Sequence, residues 1–218
     1  MTIGFDIETI PNSGMIDRLP PVEVKAGNLK DPAKIAEKEA AAKAEQIEKM
    51  ALNPLYGRVC AWCAEEFSGE KNFACMTEES DSEEARVIGE AFELLGGSNV
   101  TVLTYNGNNF DLPFIYRRAV LLGIDTREYG LAPLSAMTAK YRNELHHDLM
   151  QIWCGFCSYE KLDNLGAAIL NERKIDIDFR EFPEMIKTSA GRKKLVEYCQ
   201  QDVALLMKIY RRVKGILF

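Results

Sequence analysis

The chain has 218 residues, 47% of them hydrophobic and 28% charged, so it is long enough to bury a substantial core within the usual size of one domain. Its formal charge of −6 argues against a tight, processive binder of long duplex, because phosphate contacts are normally made by surplus Lys and Arg. The N-terminal MTIGFDIET lacks the features of a signal peptide, and no apolar run approaches the roughly 20 residues that span a bilayer. We therefore expect a cytoplasmic protein with no membrane partner, made of one domain over residues 1–218.

The chain begins with a strand pattern that points two carboxylates the same way. Ile3, Phe5 and Ile7 alternate with acidic residues, so the apolar side chains share one face. Asp6 and Glu8 share the other face. A solvated strand face is the alternative interpretation of this D-x-E segment.

A helical segment interrupts the connection to the next strand. Asp31-Pro32 supplies an N-cap and a first-turn proline, and an Ala-rich stretch with Glu39–Lys43 and Glu45–Lys49 pairs follows. This pattern predicts a helix over residues 31–51, within an insertion of about residues 25–56. The insertion is either a solvated excursion or a lid or substrate-guiding arm, because both of its ends leave from strands next to the carboxylates.

The rest of the chain alternates strands and helices. Residues 58–67 and 72–77 predict a β-hairpin, and Asp81 with Glu84 predicts a capping box for a helix that ends at Gly96-Gly97. The remaining predictions are a strand over residues 100–105, a helix from Asp111 to Leu122 stopped by Gly123, a short strand or turn near residues 147–149, a helix over residues 161–170 and a long amphipathic helix from Ser189 to Lys214.

Three short motifs place acidic residues on three of these elements. Asp6 and Glu8 lie on the first strand, and Asp111 follows the turn-forming stretch NGNNF. Tyr198 and Asp202 are four residues apart and share one face of the last helix. Alone, each motif has a structural alternative: a solvated strand, a helix cap, or boundary residues on a helix. Together, they offer the oxygen ligands that Mg²⁺ and Mn²⁺ prefer.

These motifs resemble those of the DEDD superfamily of 3′-5′ exonucleases. FDIET matches the family's D-x-E, NGNNFD matches N-x-x-x-F/Y-D, and YCQQD matches the Y-x-x-x-D of the tyrosine subclass. In the histidine subclass a His lies five residues before the last Asp, and that position here is Glu197. The flanking TYNGNNFDLPFI, HHDLMQIW and KLDNLGAAIL are most similar to stand-alone exonucleases related to the proofreading domain of family B DNA polymerases.

The resemblance implies an α/β, RNase H-like fold with a five-stranded mixed sheet flanked by helices and the helical insertion after the first strand. It also implies that Asp6, Glu8, Asp111 and Asp202 bind two divalent cations, Mg²⁺ or Mn²⁺. Tyr198 and Glu8 would orient the attacking water. A phenol with a pKa near 10 is a poor base at neutral pH, so positioning describes the role of Tyr198 better.

The implied substrate is single-stranded DNA or a frayed 3′ end. Thr9, Asn106 and Phe110 would contact the terminal nucleotide, Phe110 by stacking. A proofreading polymerase would be a separate chain, because no second domain fits in 218 residues. Two alternatives stay open: an RNA 3′ exonuclease, since the same carboxylates serve both polymers, and a non-catalytic nucleic-acid-binding module of the same fold.

Two C-x-x-C pairs invite a zinc interpretation. Cys60 and Cys63 lie in a predicted strand, where residues three apart face opposite sides, so we expect buried free thiols instead. The second pair is Cys154 and Cys157.

The segment HHDL is ambiguous. Two adjacent histidines cannot easily serve one metal, so we expect His146 and His147 in a turn or at the surface. Asp148 either lies near the site or caps a helix.

Overall fold

The computed structural model of the chain describes residues 1–23, 31–97, 99–140, 144–156, 158–175 and 177–217. Within these ranges the strands are β1 (Thr2–Pro11), β2 (Gly57–Glu66), β3 (Lys71–Cys75), β4 (Thr101–Thr104) and β5 (His146–Asp148). The α-helices are α1 (Pro32–Met50), α2 (Asp81–Leu95), α3 (Asp111–Leu122), α4 (Leu134–Met137), α5 (Leu149–Cys154), α6 (Leu162–Leu170), α7 (Phe182–Met185) and α8 (Ser189–Leu217). Residues 25–30 of the predicted insertion and Cys157 lie outside the described residues.

The strands form one mixed sheet in the order β3-β2-β1-β4-β5. β1 pairs antiparallel with β2 and parallel with β4, while β2–β3 is antiparallel and β4–β5 is parallel. β1 is therefore central. Its register with β2 shifts between Glu8 and Thr9, beside the first motif, as at a β-bulge. The five-stranded mixed sheet expected from the resemblance is confirmed.

Helices cover both faces of this sheet. Ile3, Phe5 and Ile7 join the core formed with α2 and α3, and the opposite face is covered by α5, α6 and α8. Cys60 lies in the first core and Cys63 in the second, and both thiols are fully buried and free. The prediction that these cysteines face opposite sides of the sheet is confirmed.

The packing of α8 on β1 depends on a residue without a side chain. Gly4, Asp6 and Glu8 alternate along β1 and so point to one face. A Cβ on Gly4 would lie 2.8 Å from Cγ and Sδ of Met207, which is closer than side chains tolerate. Glycine therefore lets α8 approach the strand, and Cys199 of α8 consequently lies against Asp6, with Sγ 3.7 Å from the backbone oxygen.

The predicted elements are confirmed with boundary shifts of a few residues, as is usual at element ends. The hairpin is β2–β3, and α3 ends at Gly123, whose φ of 74° is the left-handed conformation that glycine accepts readily. β5 is the short strand expected near residues 147–149. Among the described residues, no helix combines the length and the apolar character needed to cross a bilayer.

The insertion contains the expected helix. Asp31 caps α1 by accepting a hydrogen bond from the Ala33 backbone N–H at 3.0 Å, and Lys49 pairs with Glu45 at 2.6 Å. Within α1, only Met50 at its C-terminal end is buried. This burial pattern fits the solvated excursion, and a guiding role for α1 stays a prediction.

The predicted capping box of α2 is wrong by one residue. Ser80 is the N-cap, and its hydroxyl accepts a hydrogen bond from the Glu83 backbone N–H at 3.2 Å. Asp81 instead pairs with Arg58 at 2.5 Å. Glu84 is turned into the core, where it is fully buried. Both acids have tertiary cationic partners, which sequence spacing does not reveal.

A buried ionic network joins α2 to β2 and α3. The Glu84 carboxylate accepts hydrogen bonds from Arg58 Nη1 at 3.0 Å and from Arg118 Nε and Nη2 at 2.7 Å each. It also accepts from the Val59 backbone N–H at 3.0 Å. One carboxylate therefore binds two buried guanidinium groups and a strand N–H.

Glu84→Gln should destabilise the protein by about 3–5 kcal/mol, because it removes the anionic partner of the buried Arg118 guanidinium and one of the anionic partners of Arg58. Urea unfolding followed by tryptophan fluorescence measures this difference. The matched control is Glu90→Gln, since Glu90 is 43% exposed and pairs with Arg86 at the surface. The control should change the free energy of unfolding by no more than about 1 kcal/mol. Equal effects of the two substitutions would contradict the structural role of the network.

Candidate active site

Four predicted ligand residues meet on the face of the sheet that α8 covers. Asp6 and Glu8 come from β1, Asp111 is the first residue of α3, and Asp202 lies on α8. Asp111 Oδ1 accepts a hydrogen bond from the Ile7 backbone N–H at 3.2 Å, which places its carboxylate beside the first motif. Asp111 and Asp202 are buried, whereas Asp6 and Glu8 are partly exposed. The structure thus brings together side chains from three separate motifs.

The acids of this cluster resist ionisation. Burial raises the pKa of Asp6 and of Glu8 well above their ordinary values, and the neighbouring carboxylates raise both further. Burial likewise raises the pKa of Asp111, to about 7. The pKa of Asp202 is raised by burial too, although Lys174 opposes this change. Without a cation, the site therefore disfavours carrying all of its negative charges at once.

Lys174 is a residue of this cluster that the sequence did not single out. Its Nζ donates a hydrogen bond to Asp202 Oδ2 and lies 5.3 Å from the centroid of the Tyr198 ring. Burial works to lower the pKa of Lys174, but the attraction of Asp202 outweighs it and raises the pKa. The lysine lies between α6 and α8 in the charged stretch NERKIDID, and its partner Asp202 is on another element, so only the tertiary fold reveals its place.

Tyr198 lies one helical turn before Asp202 on α8, as predicted. Its ring packs against Phe182, with 5.9 Å between ring centroids. Burial, followed by the charge of Asp202, raises the pKa of the phenol above its ordinary value. A protonated hydroxyl can position a water molecule but is a poor base at neutral pH.

The donor set fits a hard divalent cation. Mg²⁺ and Mn²⁺ prefer oxygen ligands, and the ionised acids of a buried cluster are stabilised when a cation joins them. The Cys199 thiol also lies here, 3.7 Å from Asp6 Oδ2, and burial raises its pKa. A protonated thiol beside an aspartate leaves the carboxylate oxygens as the ligands for a hard ion.

Asp6 and Asp202 of this cluster line an open cleft of about 540 Å³. Its far wall carries Tyr159, which is 67% exposed, with the cations Lys161 and Arg173 close by. The hydroxyl of Tyr105 donates to the backbone oxygen of Glu160 at 2.6 Å, which fixes this wall to the end of β4. The cleft therefore combines an acidic end with an aromatic and basic wall.

The predicted nucleotide contacts have different surroundings. Asn106 lines the cleft. Phe110 is partly buried and its ring packs against Phe114, with 5.4 Å between centroids. The Thr9 hydroxyl donates to the backbone oxygen of Ala51 at 2.7 Å and so ties β1 to the end of α1. Contacts of these three residues with a nucleotide stay predictions.

The HHDL segment has a structural place. His146 is only 2% exposed, and its Nε2 lies 2.7 Å from Thr104 Oγ1, so the expected turn or surface role is wrong for this histidine. His146 lies on the edge strand β5, but its side chain is buried. Asp148 caps α5, accepting from the backbone N–H groups of Met150 at 3.1 Å and Gln151 at 3.3 Å, which confirms the capping interpretation.

Comparison with known proteins agrees with this geometry. Residues 52–216 match a family described as "Predicted 3'-5' exonuclease related to the exonuclease domain of PolB". The chain belongs to this family. Residues 52–216 include the second and third motifs, whereas Asp6 and Glu8 lie before the matched segment.

Curated relatives include DNA polymerase 1 of Aeropyrum pernix, 28% identical over 127 residues, and DNA polymerase 1 of Saccharolobus solfataricus, 29% identical over 136 residues. The matches cover 54% and 58% of this chain but 12% and 15% of those polymerases. Among solved structures, the family B DNA polymerase of Pyrobaculum calidifontis superposes with a TM-score of 0.65 at 17% identity, covering 97% of this chain and 24% of that one. This likeness confirms the RNase H-like fold.

Asp111 should make the metal-free protein less stable as the pH rises. Its pKa is about 7 in the folded chain against 3.8 for an ordinary aspartate, so the folded state binds more protons between these values. The stability contribution is therefore full below pH 3.8 and is lost as the pH rises through about 7. Asparagine carries no charge at pH 8, so Asp111→Asn should regain the free energy of unfolding that ionised Asp111 costs. With a chelator present at pH 8, the variant should melt about 2–4 °C higher than the unchanged chain for each kcal/mol of unfolding free energy regained.

Calorimetric melting from pH 4 to pH 8 measures this difference. Asp125→Asn is the control, because Arg127 lowers the pKa of Asp125 to about 2, so this acid is ionised in the folded and the unfolded chain above about pH 5. Above that pH the control should keep the pH profile of the unchanged chain. A profile of Asp111→Asn that ran parallel to that of the unchanged chain would contradict the assigned burial of this charge.

Proposed function

We propose that this chain is a metal-dependent 3′-5′ exonuclease of the tyrosine subclass that hydrolyses phosphodiester bonds from the 3′ end of DNA. The observation that carries the proposal is the cluster of Asp6, Glu8, Asp111 and Asp202, of which Asp6 and Asp202 line an open cleft together with Tyr198. The stand-alone character expected from the sequence belongs to the same proposal, with any proofreading polymerase as a separate chain.

The residues of the site have two proposed roles, metal binding and positioning of the attacking water. Asp6, Glu8, Asp111 and Asp202 would hold two divalent cations, Mg²⁺ or Mn²⁺, which when bound supply an activated water and neutralise charge on the phosphate. The protonated Tyr198 hydroxyl orients that water, together with the Glu8 carboxylate. A phenol that positions a nucleophile lowers the entropy cost of the reaction without accepting a proton.

Lys174 reduces the negative charge that a phosphate must approach. Its ion pair with Asp202 lies at the floor of the cleft, where bulk water screens it little. The acidic net charge of the chain is thus compatible with an anionic substrate, because the local balance at the site differs from the total.

The walls of the cleft support a single strand as substrate. An exposed ring such as Tyr159 can stack on an unpaired base, and Lys161 and Arg173 can contact the backbone. The names of the curated relatives, all DNA polymerases, support DNA over RNA. Single-stranded DNA or a frayed 3′ end is therefore the proposed substrate.

Digestion of one oligonucleotide labelled at either end tests the activity, its direction and its metal requirement. With Mn²⁺ or Mg²⁺, a 3′ label should be released at once as a mononucleotide, whereas a 5′ label should shorten through a ladder of products. EDTA should stop both reactions. Asp6→Asn should lower the rate more than about 100-fold, because loss of a ligand exceeds the 10–100-fold effect of losing a supporting residue.

The same assay separates the alternatives. A matched RNA oligonucleotide degraded faster than DNA would make the chain an RNA 3′ exonuclease. Binding of single-stranded DNA without hydrolysis under any metal condition would make it a non-catalytic module. Glu90→Gln, at the surface of α2, serves as the control that should keep the activity of the unchanged chain.

Tyr159→Ala should raise KM for a single-stranded oligonucleotide by about 5- to 150-fold, the equivalent of one stacked base at about 1–3 kcal/mol. Tyr159→Phe keeps the ring and should behave as the unchanged chain does. Hydrolysis of a nitrophenyl ester of thymidine monophosphate should be insensitive to both substitutions, because this ester has no second base. A KM for the oligonucleotide that stayed constant in Tyr159→Ala would remove this wall from the substrate path.

A further inference from the structure

The Asp148 carboxylate joins two segments of the chain besides capping α5. Oδ1 accepts a hydrogen bond from the Asn106 backbone N–H at 2.9 Å, and Oδ2 accepts one from the Asn108 backbone N–H at 3.0 Å. With the two cap bonds to α5, four backbone N–H groups converge on this side chain. It is only 3% exposed. A buried acid with this many donors holds its partners in place, because each bond is charge-assisted and little screened by water.

Asn106 needs such support. Its φ of 68° lies in the left-handed region, which costs a residue with a side chain about 1–2 kcal/mol. Its carboxamide lines the cleft that also contains Asp6 and Asp202. The oxygen Oδ1 accepts from Asn109 Nδ2 at 2.8 Å, so the Nδ2 group remains as a donor for a ligand. Asparagine is among the residues that tolerate this conformation best.

Gly107, next to Asn106 in the loop between β4 and α3, is held by a different contact. The Gly107 backbone N–H donates to Thr104 Oγ1 at 3.1 Å, and a Cβ on Gly107 would lie 2.0 Å from that oxygen. Thr104 is in turn bonded to His146 of β5. β5 therefore braces the loop at two points, once through Thr104 and once through Asp148, and only the second point reaches Asn106 directly.

We propose that Asp148 is a positioning residue that holds Asn106 in its left-handed conformation and thereby sets the pocket for the terminal nucleotide. The proposal rests on the proposed function for its kinetic readout, while the hydrogen bonds themselves can be measured without any activity. Asp148 acts only through the backbone of the loop and touches no reacting atom.

Two substitutions separate this role from the capping of α5. Serine and asparagine are both good N-caps, so Asp148→Ser and Asp148→Asn keep the cap. The serine hydroxyl is too short to reach the loop. In asparagine, the Nδ2 group that replaces Oδ2 is a donor and cannot accept the bond from the Asn108 N–H. In both variants, hydrogen exchange at the Asn106 and Asn108 amides should accelerate, more in the serine variant, while exchange in α5 stays as it was.

The kinetic arm is a double-mutant cycle with Asn106→Gly, which removes the carboxamide but accepts the left-handed conformation without strain. In the unchanged background, Asp148→Ser should raise KM for an oligonucleotide by about 10–100-fold, as loss of a supporting residue does. In the Asn106→Gly background the same substitution should change KM by less than about 3-fold, because nothing is left to position. Asp125→Asn, which alters an unrelated cap, should leave KM constant.

Each outcome decides the proposal. Unaltered amide exchange in Asp148→Ser, or equal KM effects in the two backgrounds, would overturn it. If the unchanged chain proves inactive, the proposed function fails on its own. Calorimetric binding of thymidine monophosphate then replaces KM in the same cycle, and affinity losses that add independently would overturn the positioning role. Should Asp148→Ser fail to fold, Asp148→Asn provides the same comparison.

Discussion

The close contact between α8 and the central strand is the constraint on which the site depends. α8 packs against β1 at Gly4, where a Cβ would lie 2.8 Å from the Met207 side chain, and the next residue on that face is Asp6. The same contact brings Asp202 to the first motif from a position almost two hundred residues away in the chain. A side chain at Gly4 would require the Met207 side chain to move, in the layer between α8 and the strand that carries Asp6. The geometry of the candidate site thus depends on how closely this helix and this strand pack.

The electrostatics of the site oppose the packing that creates it. Burial raises the pKa of all four acids, neighbouring carboxylates raise the pKa of Asp6 and of Glu8 further, and the ion pair between Lys174 and Asp202 opposes only part of this effect. A site of this kind is least favourable when it is fully ionised and without cations. Cation binding offsets this unfavourable free energy of the ionised acids. The four acids therefore contribute to metal affinity more than to folding stability. The buried network around Glu84 supplies rigidity elsewhere, in the core on the other face.

The sequence predicted the parts of the site that follow local rules. Alternation along β1 and the four-residue spacing on α8 correctly oriented Asp6, Glu8, Tyr198 and Asp202. Lys174 was missed because its role comes from a partner on another element, and no period in its own segment reports that partner. The capping box at Asp81 and the surface role of His146 were wrong for the same reason: a tertiary ion pair and a buried position overrode local propensity.

The architecture places the proposed metal ligands and the proposed substrate contacts on different parts of the chain. The proposed ligand residues come from β1, α3 and α8, which are fixed by the sheet and its two cores. The wall that carries Tyr159 and Lys161 and the segment that carries Arg173 flank α6, on the connection between the second and third motifs. Substitutions on this connection can alter strand binding without moving a carboxylate, because they lie outside the contacts that hold α8 to β1. A shared metal site and divergent substrate walls are therefore what this fold permits among related exonucleases.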